Sequence, residues 1–435
     1  KIRRNLMSET TKGFNTNAIH AGAKPDPTTG ARATPIYQTA SYVFEDTDHA
    51  ANLFAGKAFG NIYTRIMNPT QAVLEERVAA LEGGTAALAV ASGHAAQLIA
   101  LHPLLSAGNE FIASDKLYGG SINQFTHSFK KFDWNVKWAS GNNIDSYKSL
   151  INEKTRAIFV ESIANPGGII TDIEPIARIA EDAGIPLIVD NTMATPYLCK
   201  PFDFGANIIV HSLTKFLGGQ GNSVGGIIVD GGNFDWSKND KFPDLSEPNP
   251  SYHGYKFHET FGEMGISYAI VCRFLALRDL GPAISPFNAF LILNGIETVA
   301  LRMKQHSENA LKVAEYLQNH EKVDWVSYAG LNDSDYKSLA KKYCPNGTGA
   351  VFTFGLKGGY DAGVKLVNGV EMFSHLANIG DAKSLIIHPA STTHSQLTDE
   401  QQEASGAGKD VVRLSIGIED VSDIIGDLKQ ALDAI

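Results

Sequence analysis

Two short stretches carry residue types that can act together on one small molecule. Val189-Asp190-Asn191-Thr192 ends an apolar run in a carboxylate, and Val210-His211-Ser212-Leu213-Thr214-Lys215 follows the next apolar run with two hydroxyls and an amine. If the two runs are neighbouring strands, Asp190 and Lys215 emerge at one sheet edge and face a common ligand. Pyridoxal phosphate needs such a pair: a lysine to form the Schiff base, and an acid to keep the ring nitrogen protonated so that the ring accepts electrons. Ser212 and Thr214 supply hydroxyl donors suited to its phosphate. Taken alone, an Asp capping a loop and a solvated Lys account for the two residues more simply.

Other segments add weight. Ala91-Ser92-Gly93-His94 opens an apolar helical stretch, whose first N–H groups suit a phosphate as well as a plain helix start. Tyr118, in Leu117-Tyr118-Gly119-Gly120, follows a strand and is free to stack on a ring or simply to pack. Arg413 lies in an otherwise apolar strand, where it needs an anion: a substrate carboxylate held through two prongs, or an internal Asp or Glu. Two familiar phosphate motifs are excluded. Gly219-Gln220-Gly221 lacks the third glycine of a dinucleotide fingerprint, since Val224 stands there, and Gly56-Lys57 and Gly408-Lys409 lack the hydroxyl residue of a P-loop. His388 and His394 invite a metal reading, but Pro389 breaks their register and no cysteine or carboxylate cluster accompanies them, so structural or substrate-edge roles are expected and no metal. His211 is expected to pack and to hydrogen bond.

The elements that must position these residues follow from the apolar patterning. Runs at Phe111–Ala113, Ala157–Val160, Pro186–Val189, Ile208–Val210 and Gly226–Val229 alternate with amphipathic stretches, among them a helix over Ile173–Ala183 with Asp172 at its start and Gly184 after its end. Apolar runs separated by helices imply the α/β class, with a mostly parallel sheet covered by helices on both faces and ligands beyond the carboxyl ends of its strands. A helix from about Gln71 buries Leu74, Val78 and Leu81, leaves Glu75, Glu76 and Arg77 mostly off that face, and stops at Gly83-Gly84. A polar stretch over Asp235–Gly265 interrupts the alternation. A long helix through Gly295–Leu317, short strands near Ala350–Phe354 and Val411–Ser415, and a terminal helix from about Val421 indicate a smaller C-terminal α/β domain, with the boundary near Pro286. The expected division is an arm over 1–62, too polar to fold alone, a ligand-binding large domain over 63–286 and a small domain over 287–435.

Composition bounds the function. The 435 residues carry 37 Lys and Arg against 47 Asp and Glu, a net charge of -10, which argues against a generic nucleic-acid or anionic-membrane binder. Three scattered cysteines make no disulfide framework and suit a reducing, cytoplasmic setting. No apolar run approaches the roughly 20 residues that cross a bilayer. Lys1-Ile2-Arg3-Arg4 resembles the charged end of a signal peptide, but nothing apolar follows, and Met7 reads as the natural start with residues 1–6 added.

Together these segments resemble the Cys/Met-metabolism family of pyridoxal-phosphate enzymes, from about Thr16 to the C-terminus. The likeness rests on Tyr63-Thr64-Arg65-Ile66-Met67-Asn68-Pro69-Thr70, Ser92-Gly93, Tyr118-Gly119-Gly120, Asp190-Asn191-Thr192, Ser212-Leu213-Thr214-Lys215 and His388-Pro389-Ala390-Ser391-Thr392-Thr393-His394. The resemblance implies the fold type I architecture of pyridoxal-phosphate-dependent transferases. It makes Lys215 the Schiff-base lysine and proton shuttle, Asp190 the ionised partner of the ring nitrogen, and Tyr118 the ring-stacking residue and an acid–base group. Ser92, Gly93, His94, Ser212 and Thr214 would bind the phosphate, with Asn165 and Thr192 near the cofactor. Tyr63 and Arg65 would reach the neighbouring subunit's phosphate, and Tyr63 its substrate, so that each site needs a dimer and the family favours a tetramer. Arg413 would hold the substrate α-carboxylate, helped by the backbone around Asn378.

Family membership leaves several reactions open. Methionine-degrading lyases typically carry a Cys two residues after the stacking Tyr, where this chain has Gly120. The long segment from Gly231 through Pro286 resembles an insertion of the sulfhydrylase branch. The expected reaction is therefore γ-replacement on O-acetyl-L-homoserine by sulfide or a small thiol, within methionine biosynthesis. A methionine or cystathionine γ-lyase is the alternative, and a non-catalytic binding protein on this fold a more distant one.

Overall fold

The computed structural model describes residues 12–435 except Pro166, His253, His394, Gln396, Leu397 and Ser405. The question of residues 1–6 and Met7, and the placement of His394, lie outside them. The large sheet contains β1 (Ala86–Val90), β2 (Glu110–Ser114), β3 (Asn135–Ala139), β4 (Thr155–Glu161), β5 (Leu187–Asp190), β6 (Ile208–Ser212) and β7 (Gly226–Asp230). Their order is β1-β7-β6-β5-β4-β2-β3. The β3-β2-β4-β5-β6 pairs are parallel, and β7 runs antiparallel to both β6 and β1. The expected mostly parallel sheet is thus present, with β7 reversed. No crossover helix lies between Ser212 and Gly226, so the chain returns from the carboxyl edge as a hairpin does. β1 and β3 were not foreseen: β1 is Ala-rich, and β3 carries Asn135 and Lys137 at the sheet edge.

The helix Pro69–Glu82 begins with Asn68, whose side chain accepts from Thr70 N–H, and Pro69 in the first turn; it ends at Gly83 in the left-handed region at φ 86°. Leu74, Val78 and Leu81 are buried as expected, but so are Glu75 and Arg77, contrary to the simple helical face. Glu75 accepts from Ala89 N–H at 2.9 Å and from Arg273 at 2.6 Å, and Arg77 donates to Ala21 O at 3.1 Å and lies 3.4 Å from Glu297. Distant partners make their burial tolerable. The long helix expected through Gly295–Leu317 is present as Val299–Gln318; its first residues belong instead to a preceding helix, Pro286–Ile296, and the two are separated at Glu297-Thr298.

A second sheet contains β8 (Val323–Ser327), β9 (Val351–Leu356), β10 (Ser374–His375), β11 (Leu385–Ile387) and β12 (Val411–Ser415), in the order β10-β11-β12-β9-β8. It is closed by the terminal helix Val421–Asp433. Among the described residues no helix is long and apolar enough to cross a membrane. Cys199, Cys272 and Cys344 are buried and free.

Candidate active site

Parallel strands all expose their carboxyl ends at one edge, and there Glu161, Asp190 and Ser212 close β4, β5 and β6. A cavity of about 240 Å³ opens beyond them. It is lined by Ser92, Gly93, His94, Tyr118, Asn165, Asp190, Thr192, Ser212, Thr214, Lys215, Asn378 and Arg413, which is every site residue expected above except Tyr63 and Arg65. Those two lie apart. The Arg65 guanidinium donates to Arg278 O and sits 5.5 Å from the ring of its own Tyr63, which is exposed.

One end of the cavity is built to take an anion. The helix Gly93–Leu101 starts at Ser92, whose hydroxyl accepts from Ala95 N–H at 3.1 Å, leaving the first N–H groups directed off the helix end. A Cβ on Gly93 would lie 2.8 Å from Ser212 Cβ, so glycine lets this terminus sit against the end of β6. Ser212 Oγ has no hydrogen-bond partner among the described residues. The Thr214 hydroxyl is instead shared with Gly225, accepting from its N–H at 3.1 Å and donating to its carbonyl at 3.3 Å.

Asp190 is held from three sides. Thr192 donates to its Oδ1 through its N–H at 3.0 Å and its hydroxyl at 2.5 Å, and Gln97 lies 3.5 Å from Oδ2. The Thr192 hydroxyl in turn accepts from Ser212 N–H at 2.8 Å, which ties β5 to β6. Sequence reasoning has Asp190 ionised. In the cavity itself desolvation pushes its carboxyl up, against the bonds from Thr192 and the nearby His211 and Gln97. A cation opposite it is what would hold the charge. Lys215 follows β6 in a turn and donates from Nζ to Asn378 Oδ1. Burial first, and then the Arg413 guanidinium, push its amine down to about 8, closer to the neutral form a nucleophile requires.

Arg413 reaches the cavity from β12 of the second sheet. Its contacts are long, 3.3 Å to Asn165 Oδ1 and 3.4 Å to Asn378 O, and among the described residues no Asp or Glu pairs with it. The acids of the same cavity, Glu161 and Asp190, are bonded elsewhere, so the internal pair that would have explained Arg413 is not formed among the described residues. Tyr118 caps the short helix Gly119–Asn123 and is 47% exposed, its ring beside that of His94 at 6.0 Å and 27°.

Sequence reasoning missed Glu161 and Gln97. Glu161 had the same signal as Asp190, an acid ending an apolar run. Gln97 sits in an apolar helix, three residues after His94, and nothing marks it. Its Oε1 is buried without a partner among the described residues, while Nε2 donates to Ser121 Oγ at 2.8 Å. An amine, a strand-end acid, an anion cradle and a buried oxygen unpaired among the described residues fit pyridoxal phosphate. His388 and His211 do not line this cavity: His388 is buried and contacts Ser391 Oγ and Lys409 O, each at 2.9 Å. His211 is buried against Glu82 at 2.6 Å.

The chain is similar to known proteins over nearly all of its length. A family model described as "Cys/Met metabolism PLP-dependent enzyme" matches residues 15–433. The chain is 53% identical over 427 residues to the O-acetyl-L-homoserine sulfhydrylase of Leptospira meyeri, covering 97% of this chain and 96% of that one. It is 49% identical over 422 residues to the homocysteine synthase of Schizosaccharomyces pombe, covering 97% and 98%. A crystal structure of a Campylobacter jejuni protein, assigned as an O-acetylhomoserine (thiol)-lyase and carrying a pyridoxyl-lysine monophosphate, matches with a TM-score of 0.93. The identity is 41%, over 97% of this chain and all of that one.

Proposed function

Because the chain belongs to the Cys/Met metabolism family of pyridoxal-phosphate-dependent enzymes, we propose that it catalyses γ-replacement: O-acetyl-L-homoserine and sulfide, or a small thiol, give L-homocysteine, or methionine, and acetate. The observation that carries this reading is one cavity holding an amine, a carboxylate and a guanidinium without an acidic partner, Lys215, Asp190 and Arg413. The names of the relatives choose the reaction over γ-elimination.

The cofactor, when bound, supplies an electron sink that makes carbanions at the substrate's Cα and Cβ accessible. Lys215 would hold it covalently, Asp190 would keep the proton on its ring nitrogen, and Ser92, Gly93, His94, Ser212 and Thr214 would bind its phosphate. Asn165 and Thr192 would border it, and Tyr118 would cover its ring. Arg413, with the Asn378 carbonyl beside it, would take the substrate α-carboxylate in a two-pronged contact. The freed Lys215 amine, depressed in pKa by burial, would carry protons from Cα and between substrate carbons. The Tyr118 hydroxyl would serve the leaving acetate and the incoming thiol. At Cγ the C–O bond breaks with its electron pair leaving on acetate, and a C–S bond forms.

Tyr63 and Arg65, exposed and outside this chain's cavity, would complete the cofactor and substrate sites of a neighbouring copy, in a tetramer of two catalytic dimers in the cytoplasm. The division into an arm over 1–62, a large domain over 63–286 and a small domain over 287–435 belongs to the same reading. The test is a product assay on the cofactor-loaded protein. Homocysteine should form from O-acetyl-L-homoserine only with sulfide, L-methionine alone should give little 2-oxobutyrate, and Lys215→Ala should hold no covalent cofactor and turn nothing over. Rapid 2-oxobutyrate from methionine would mean a lyase, and full activity in Lys215→Ala would refute the site.

A further inference from the structure

Glu161 closes β4 as Asp190 closes β5, and the two are register partners on adjacent parallel strands. The roles proposed above employ Asp190 and leave Glu161 without one. It is 4% exposed, and each of its oxygens is committed to a different loop. Oε1 accepts from Tyr118 N–H at 2.6 Å, and Oε2 accepts from Asn165 N–H at 3.1 Å. Tyr118 begins the Gly119–Asn123 helix, and Asn165 follows β4 and passes the connection on, its Oδ1 lying 3.3 Å from Arg413 Nη1. Burial, and then the neighbouring Asp190, push the Glu161 carboxyl well up, against the two backbone bonds; a carboxyl still accepts through both oxygens, which an amide of the same shape cannot do. A second acid beside Asp190 is costly in a desolvated site, so this two-sided grip is its evident compensation.

We propose that Glu161 is a positioning residue, a clamp that fixes the backbone of Tyr118 and the backbone of Asn165 and so sets the ring-covering tyrosine and the carboxylate-binding Arg413 relative to one another. The inference rests on the roles proposed for those two residues. Its bearing is on ligand geometry: one side chain joins the cofactor end of the cavity to the substrate end.

The variant Glu161→Gln keeps the size but offers one acceptor oxygen, and its amide N–H₂ meets the other N–H donor. One loop is released. Loss of a buried hydrogen bond predicts a rise in KM for O-acetyl-L-homoserine of about tenfold and a weaker induced circular dichroism of the bound cofactor. In an Asn165→Ala background the KM effect of Glu161→Gln should largely vanish, because both changes break the same connection. If Glu161→Gln does not fold, Glu161→Asp keeps the carboxyl but is one methylene shorter, and should show the same two changes at smaller size. Unchanged KM and dichroism in a folded Glu161 variant, or full additivity with Asn165→Ala, would overturn the clamp. The dichroism needs no substrate, so it reads the clamp even if O-acetyl-L-homoserine is not turned over; inactivity of the parent protein would instead count against the functional reading.

Discussion

Arg302 and Arg413 both lack a carboxylate partner among the described residues, and they are bonded very differently. Arg302, on the helix Val299–Gln318 and 5% exposed, donates to Phe216 O at 2.6 Å, Gly295 O at 2.7 Å, Leu217 O at 3.2 Å and Thr298 Oγ1 at 3.3 Å. Arg413, partly buried, has only its two contacts beyond 3.2 Å. Desolvation lowers both, Arg302 to about 10. Arg302 is satisfied by the chain itself. It gathers the end carbonyls of Pro286–Ile296 and those just after Lys215, and Gly219 at φ +72° leaves it room, since a Cβ there would lie 2.1 Å from Nη1. Arg413 keeps donors to spare at the rim of a cavity. Burial alone therefore does not mark a functional cation; unspent hydrogen-bonding capacity facing a cavity does.

The comparison breaks if the two residues behave alike on removal. Arg413→Ala should lower kcat/KM for O-acetyl-L-homoserine by about a hundredfold or more, the loss of a two-pronged charged contact. Its unfolding free energy should stay within about 1 kcal/mol of the parent, since a poorly paired charge also costs desolvation. Arg302→Ala should do the reverse. Orphaned carbonyls at Phe216 and Leu217 and the void left behind should cost about 3 kcal/mol in denaturant titration, with KM nearly unchanged in the folded enzyme. Equal stability losses would end the distinction.

The same Arg413 variant sharpens the contrast through pH. Arg413 is the second cause, after burial, of the depressed Lys215 amine at about 8. Capture of pyridoxal phosphate by cofactor-free protein needs the neutral amine, so its rate should rise with pH through about 8 in the parent. Without the guanidinium the protonated amine is less disfavoured, and the inflection should move to higher pH. Arg302 is not among the causes, and Arg302→Ala should leave the inflection in place.

Most of this site is legible in the sequence because strand-end residues inherit their position from the strand. Asp190 and Lys215 are placed by two apolar runs, and the parallel sheet brings their ends together. Glu161 carries the same local signature and is missed only because no chemistry called for a second acid. Glu75 and Arg77 misled for another reason. Their partners Arg273 and Glu297 are some two hundred residues away in the chain, and helical periodicity contains no information about them. The break at Glu297-Thr298 is likewise hidden, since no Pro or Gly stands in it. Satisfaction of a charge, which separates Arg302 from Arg413, is a property of three-dimensional neighbours and has no sequence signature.

The finest test leaves both arginines in place and moves the ring beside one of them. A Cβ on Gly120 would fall 2.4 Å from Tyr118 Cε1 and 3.0 Å from His94 Nε2, so this glycine is what allows the tyrosine to lie where it does, beside the His94 ring. Its φ is not in the left-handed region, and the conflict is purely steric. Gly120→Ala should therefore swing the Tyr118 ring away, weakening cofactor binding by about threefold to tenfold, the scale of an aromatic contact, and reducing the cofactor's induced dichroism. Stability should hold or rise by roughly 0.5 kcal/mol, because alanine suits the Gly119–Asn123 helix better than glycine. Losses confined to cofactor affinity would place Gly120 with Arg413, among residues whose environment is set by the ligand. A fall in stability with intact cofactor binding would place it with Arg302, and would mean that the Tyr118 pose is merely packing.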